Sequence, residues 1–251
     1  QMIQRMLGLD ALGIYSIGYN FGMIMLICVG AFSMAWPPFF VSFISRREEA
    51  KTVFAKVLKY YLIVFGFLTL AFFGLARPVI TLMVAVPFQD AFVVVGMVAA
   101  AYMLKGVYLI FLPGFYFAEK LVLQSSIEWI SALANIALNF VLIPRFGIAG
   151  AAGATLGCYL VLPVSAAFLS SCFLDVEHEW AKIFRCIATI AAFSLILFLA
   201  SKSIQSPLSM IALAFLILAL FMLLSFFWVL TEHERQKISL RMVMRSKENK
   251  L

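Results

Sequence analysis

The sequence predicts an all-α integral membrane protein of about seven transmembrane helices, and three observations predict it. Of its 251 residues, 65% are hydrophobic and only 12% charged, whereas about a quarter of the residues in soluble domains are charged. Apolar runs of about 20 residues or more recur along the chain, each long enough to cross about 30 Å of hydrocarbon. None shows the ten-residue alternation of a barrel strand, and a helix satisfies its own backbone in lipid.

The runs fall at about 12–36, 59–84, 91–117, 122–143, 148–173, 183–203 and 207–230. With seven spans the two ends lie on opposite sides. One side receives 14 of the 19 Lys and Arg residues, at 46–59, 120, 182–185 and 235–250, and the other receives Arg5, Arg77, Arg145 and Lys202. The basic side is cytoplasmic by the positive-inside rule, so the chain starts outside and its basic tail, 231–251, ends inside. The start at Gln1, without Met and without a signal-peptide pattern, reads as the beginning of a fragment.

The first span carries Tyr15, Tyr19, Gly22 and Ser33 on one face, the tyrosines reading first as interfacial anchors. It closes on Trp36, Pro37 and Pro38. The loop "RREEAKTVFAKVLK" (46–59) that follows reads either as an interfacial helix or as a solvated basic connection, and so does 232–247.

The third span holds Lys105 near its middle, with Tyr102 and Tyr116 on the same face. A charge at that depth is costly and marks a pathway or a buried pair. Glu128 on the next span is its candidate carboxylate partner. The alternatives are a cation exposed in a cavity to hold an anionic substrate and a lysine that snorkels. Pro113 and Gly114 interrupt this span, and prolines within spans, Pro163 among them, read as kinks.

The fourth span carries Gln124, Glu128, Ser131, Asn135 and Asn139 at intervals of four, three, four and four. At 100° per residue they form one polar stripe, which must face water or other helices. Both readings stay open, a hydrated cavity wall and interhelical hydrogen bonding. Beyond Pro144 and Gly147, the run "GIAGAAGATLG" spaces Ala149, Gly153 and Gly157 four apart beside Gly150 and Ala154, a small-residue face for close helix packing.

The four cysteines lie far apart with no metal-ligand spacing and read as packing residues. The excess of basic residues sits in loops and tail, which excludes nucleic acid as the reason for the charge. "DVEHEW" (175–180) and "TEHER" (231–235) place His beside Glu without the H-E-x-x-H spacing, so both read as surface residues and no metal site is expected.

The run "NIALNFVLIPRFGIAGAAGAT" (135–155), together with "LGLDALGIYSIGYNFGMIMLICVGAFSMAWPPFF" (7–40), resembles the carboxy-terminal half of bacterial polysaccharide (O-antigen type) flippases, of the superfamily that also holds multidrug and toxin exporters. The resemblance covers most of 7–173. It implies a two-lobe transporter, with 1–173 as most of the second lobe and 174–230 as two additional helices. It further implies alternating access that carries an undecaprenyl-pyrophosphate-linked oligosaccharide across the bacterial inner membrane, with no cofactor, a possible coupling ion (Na⁺ or H⁺), and other polysaccharide assembly proteins as possible partners. Lys105 as the pyrophosphate-holding cation is an inference from its depth. The competing readings are a cation-coupled drug antiporter, which would want more cavity carboxylates than Glu128, and a membrane-embedded polymerase or ligase, which would want larger outer loops.

Overall fold

The computed structural model describes residues 2–229. It is 89% helical, with no strand among the described residues. A short α1 (Met2–Leu7) precedes α2 (Leu9–Gly22) and α3 (Ile24–Val41), which together make the first pass with a break at Met23. The second pass is α4 (Arg47–Met83). A 3₁₀ turn (Val86–Ala91), α5 (Phe92–Ile110) and α6 (Leu112–Phe117) make the third. α7 (Leu121–Ser171), α8 (Trp180–Ser203) and α9 (Pro207–Trp228) complete the chain.

Six stretches among the described residues are long and apolar enough to cross a bilayer, with α7 counted once. α7, however, is not straight. Gly147 takes φ 58 and ψ −135, inside what is otherwise 51 helical residues. Ser131 Oγ donates to the Cys158 carbonyl at 2.8 Å, although 27 residues of straight helix would separate them by about 40 Å. The chain therefore doubles back at Gly147, and residues 121–146 and 148–171 are two antiparallel arms. Each is long enough to span, which restores seven passes and an all-α, multi-pass membrane protein.

α5 is the central helix. Two-thirds of its apolar window is buried, the largest share of any pass, and it packs against α2, α3, α4 and α7. α4 lies along its other side and carries α8 and α9. The core between them is aromatic and aliphatic, with Phe54, Leu58, Leu62, Leu70, Val94, Val98 and Phe115 almost wholly enclosed. Large apolar side chains such as Met34 and Leu82 lie more than 80% exposed, which a bilayer solvates and water would not.

Polar contacts agree with the alternation of passes. Arg47 donates to the Phe117 carbonyl at 3.1 Å, and Lys59 meets Glu179 at 3.0 Å. Arg77, at the opposite end of α4, donates to the Ser201 carbonyl and lies over the Phe92 ring. Each contact joins two ends that seven alternating passes put on the same side.

Three local expectations are corrected. Residues 47–59 are neither a separate interfacial helix nor a loop but the first turns of α4. Ala50, Phe54 and Leu58 sit at intervals of four and bury one face against the protein. Pro37, Pro38 and Pro163 do not interrupt their helices, whereas Pro113 stands in the first turn of α6, where the α5–α6 break falls. The close-packing face of the second arm is not Ala149, Gly153 and Gly157. It is Gly150, Ala154 and Cys158, all buried and also four apart. A Cβ at Gly150 would collide with the Leu142 carbonyl, one at Gly157 would touch only Leu138 at 3.4 Å, and one at Gly153 would meet nothing within 4 Å. Residues 232–247 lie outside the described residues.

Candidate functional site

A cavity of about 470 Å³ opens where α1 and α2 face the α7 hairpin. Its polar lining is Tyr15, Ser16, Tyr19 and Asn20 from α2, with Asn135, Asn139 and Thr155 from the two arms. Met2, Ile3, Leu12, Ile143 and Ala151 complete the lining, which is mixed polar and apolar and carries no charged side chain. Helical spacing assembles it: Ser16 and Asn20 are four apart, as are Tyr15 and Tyr19, Asn135 and Asn139, and Ala151 and Thr155. Tyr15 and Tyr19 therefore line a cavity rather than serving only as boundary anchors.

The polar stripe of the first arm divides between the two readings. Ser131 is buried and bonded across the hairpin to the Cys158 carbonyl, so it holds the arms together. Asn135 reaches the Cys158 sulfur at 3.4 Å, and its carbonyl and side-chain oxygen accept from Asn139 at 2.9 and 3.0 Å. Both amides nevertheless line the cavity. Toward the other end of the arm, Glu128 accepts from the Tyr108 hydroxyl of α5 at 2.9 Å, while Gln124 stays partly exposed and lines neither cavity.

The Lys105–Glu128 ion pair is not formed. Glu128 is engaged by Tyr108, and the ion pairs among the described residues involve Arg46, Lys51, Lys59 and Lys182. Lys105 is partly buried, one turn from Tyr102 and one from Tyr108 on α5. Tyr102 itself is buried, with its hydroxyl 2.7 Å from that of Tyr19 on the cavity wall. Tyr116 does not join them. It follows the α5–α6 break, where it packs edge-on to Phe40 at 5.2 Å between ring centroids. Pro113 and Gly114 sit against the second arm of α7, where a Cβ on Gly114 would strike the Ser170 hydroxyl.

A second, larger space of about 1,090 Å³ lies on the other side of the second arm. α4 and α5 form its floor, and the second arm and α8 form its walls through Gly153, Leu156, Leu160, Val164, Ile183, Ile187, Ile190 and Phe198. Ala151 and Thr155 face the polar cavity while Gly153, Leu156 and Gly157 face this groove. The second arm is thus a partition, polar on one side and apolar on the other.

At one end of the groove His178 sits between the Phe111 and Trp180 rings, with centroids 5.5 and 5.1 Å away. It is partly buried rather than a surface residue, and burial pushes its imidazole down to about 4. Its Nδ1 and the Ser194 hydroxyl are the buried side-chain polar atoms that find no partner among the described residues, and both residues line the groove.

Sequence reasoning missed Ser16, Asn20 and Thr155, although two polar residues four apart in an apolar run were a usable signal. It also missed Gly106, where a Cβ would fall on the Tyr61 hydroxyl, and no local pattern in the sequence marks that contact. Among the described residues no group of His, Cys, Asp and Glu could hold a metal. No family model matches the chain, and no curated protein or solved structure is similar to it at a significant level.

Proposed function

We propose that this chain is part of an inner-membrane transporter for a lipid-linked oligosaccharide, working by alternating access. The observation that carries the reading is the uncharged cavity in which seven hydroxyl- and amide-bearing residues converge among apolar ones, within an otherwise apolar bundle. Tyr, Ser, Thr and Asn both donate and accept hydrogen bonds, which suits a surface of sugar hydroxyls. A cation-coupled drug antiporter would want carboxylates there, and none lines the cavity. Lys105, partly buried and without an ion-pair partner among the described residues, lines neither cavity, and its assignment to the pyrophosphate rests on its depth in the third pass alone.

The test is made in the full-length protein with surface polysaccharide as the readout and membrane level as the control. Lys105→Ala and the double substitution Asn135→Leu with Asn139→Leu should each abolish polysaccharide, and Lys105→Arg should be partly tolerated. Normal polysaccharide with Lys105→Ala sinks the role of that lysine. Normal polysaccharide with both asparagines replaced sinks the cavity as the sugar path.

A further inference from the structure

The hydrogen bonds around the polar cavity leave two of its wall residues with a fixed polarity. Asn139 donates from its amide nitrogen to the backbone carbonyl of Asn135 at 2.9 Å and to the Asn135 side-chain oxygen at 3.0 Å. A backbone carbonyl only accepts, so the Asn139 amide cannot be turned over without setting oxygen against oxygen. The next contacts follow from this one. With its oxygen toward Asn139, Asn135 turns its nitrogen to the Cys158 sulfur at 3.4 Å, and the Cys158 thiol donates in turn to the Thr155 carbonyl at 3.2 Å. What remains to Asn139 is its side-chain oxygen, which has no partner among the described residues. The first arm of α7 therefore presents an acceptor to the cavity.

α2 presents a donor. Tyr102 is 6% exposed, and its hydroxyl, 2.7 Å from that of Tyr19, bonds to nothing else among the described residues. An enclosed O–H aimed at no acceptor is costly, so Tyr102 donates and Tyr19 accepts. The hydroxyl hydrogen of Tyr19 is then left for the cavity that Tyr19 lines. Ser16 and Asn20, exposed on the same helix, carry no such commitment and can turn either way.

An O–H on α2 and a carbonyl oxygen on the first arm thus border one space of about 470 Å³. A sugar hydroxyl satisfies one of them at a time. A trans secondary amide satisfies both, because its N–H and C=O leave one rigid plane in opposite directions. Its N–H would meet Asn139, and its C=O would receive the hydrogen of Tyr19. The amide's methyl has apolar lining to meet in Leu12 and in Ile143, one turn beyond Asn139.

On the reading of this cavity as a sugar path, we propose that it selects a secondary amide, the acetamido group of an N-acetylated sugar, with Tyr19 and Asn139 as the specificity-determining pair.

The test is saturation-transfer NMR on the full-length protein in detergent, measuring Kd for methyl N-acetyl-glucosaminide and for methyl glucoside. The wild type should bind the acetamido sugar about tenfold more tightly, the scale of one or two net hydrogen bonds. Tyr19→Phe and Asn139→Leu should each bring that ratio close to one. A ratio of two affinities on the same sample is insensitive to a misfolded fraction, and the wild-type ratio needs no variant at all. Equal Kd values for the two sugars in the wild type would overturn the amide selection while leaving the sugar path intact. A preference that survives in both variants would overturn the assignment to Tyr19 and Asn139. Binding of neither sugar would sink the sugar path and the inference with it.

Discussion

The indole N–H of Trp36 donates to the carbonyl of Leu109 at 2.9 Å. In an uninterrupted helix that carbonyl would accept from the backbone N–H of residue 113, and Pro113 has none. The first pass thus supplies the hydrogen bond that the third pass cannot make, and with Trp36 only 3% exposed no water substitutes for it. Trp36→Phe should lower stability by about 1–3 kcal/mol, the cost of an unsatisfied buried polar group. Adding Pro113→Ala restores an N–H at the right position, so Trp36→Phe should cost much less in that background. Thermal unfolding of the four variants as a double-mutant cycle reads this directly, and equal costs in both backgrounds would refute the pairing.

Gly106 lies where α5 meets the Tyr61 hydroxyl, which donates to the Met103 carbonyl at 3.1 Å. Gly106→Ala should destabilise the bundle by about 1–3 kcal/mol through overpacking. Tyr61→Phe removes the colliding oxygen and should recover part of the loss, whereas independent, additive effects of the two changes would show that they do not share one contact.

The two glycines at 147 and 153 should respond in opposite directions to the same substitution. Gly147 holds φ 58 and ψ −135 at the hairpin turn, a conformation costing an L residue about 1–3 kcal/mol. Gly153 is helical with open space around its Cα, so Gly153→Ala should be neutral or stabilising by about 0.5–1 kcal/mol. Unfolding midpoints measured in one detergent would compare them, and a stabilising Gly147→Ala would contradict the turn.

Below neutrality two groups at the α7–α8 connection should govern stability in different pH windows. His178 is lowered by burial from 6.5 to about 4, so the unfolded chain binds the proton first. Its contribution is complete above pH 6.5 and is lost as pH falls toward 4. Burial would raise the Glu179 carboxyl, but its contacts with Lys182 and Lys59 outweigh this and hold it below the usual carboxylate range. The stability it adds is present above that range and is lost only at lower pH. His178→Phe should therefore flatten the stability curve between pH 6.5 and 4, while Glu179→Gln should lower stability at neutral pH and remove the loss that sets in as pH falls below 4.5. An unchanged slope in His178→Phe would place the titrating group elsewhere.

Accessibility should split the polar stripe. Single cysteines at positions 20 and 139 should react with a small water-soluble thiol reagent, while one at 131, enclosed against Cys158, should not. Equal protection at all three positions would mean that the cavity is dry.

The passes were legible because lipid demands about 20 apolar residues in each, and that demand is local. The polar stripe was legible for the same reason, since Asn135 and Asn139 have no place facing hydrocarbon. Its division was not, because whether Ser131 meets water or the Cys158 carbonyl depends on the hairpin that Gly147 closes, a contact across 27 residues. Lys105 and Glu128 looked like natural partners by charge, but Tyr108, one turn beyond Lys105 on α5, is the residue that stands within bonding distance of Glu128. Prolines misled where neighbours tolerated them, as at Pro37 and Pro163, and informed where a break was real, as at Pro113.

The hairpin also bears on how the chain enters a membrane. The first arm alone carries Gln124, Glu128, Ser131, Asn135 and Asn139, a poor candidate for release into lipid by itself. Its serine and first asparagine find their partners on Cys158 of the second arm, which is synthesised later. Entering the bilayer together with the second arm would satisfy these groups at once, whereas entering alone would leave them without those partners.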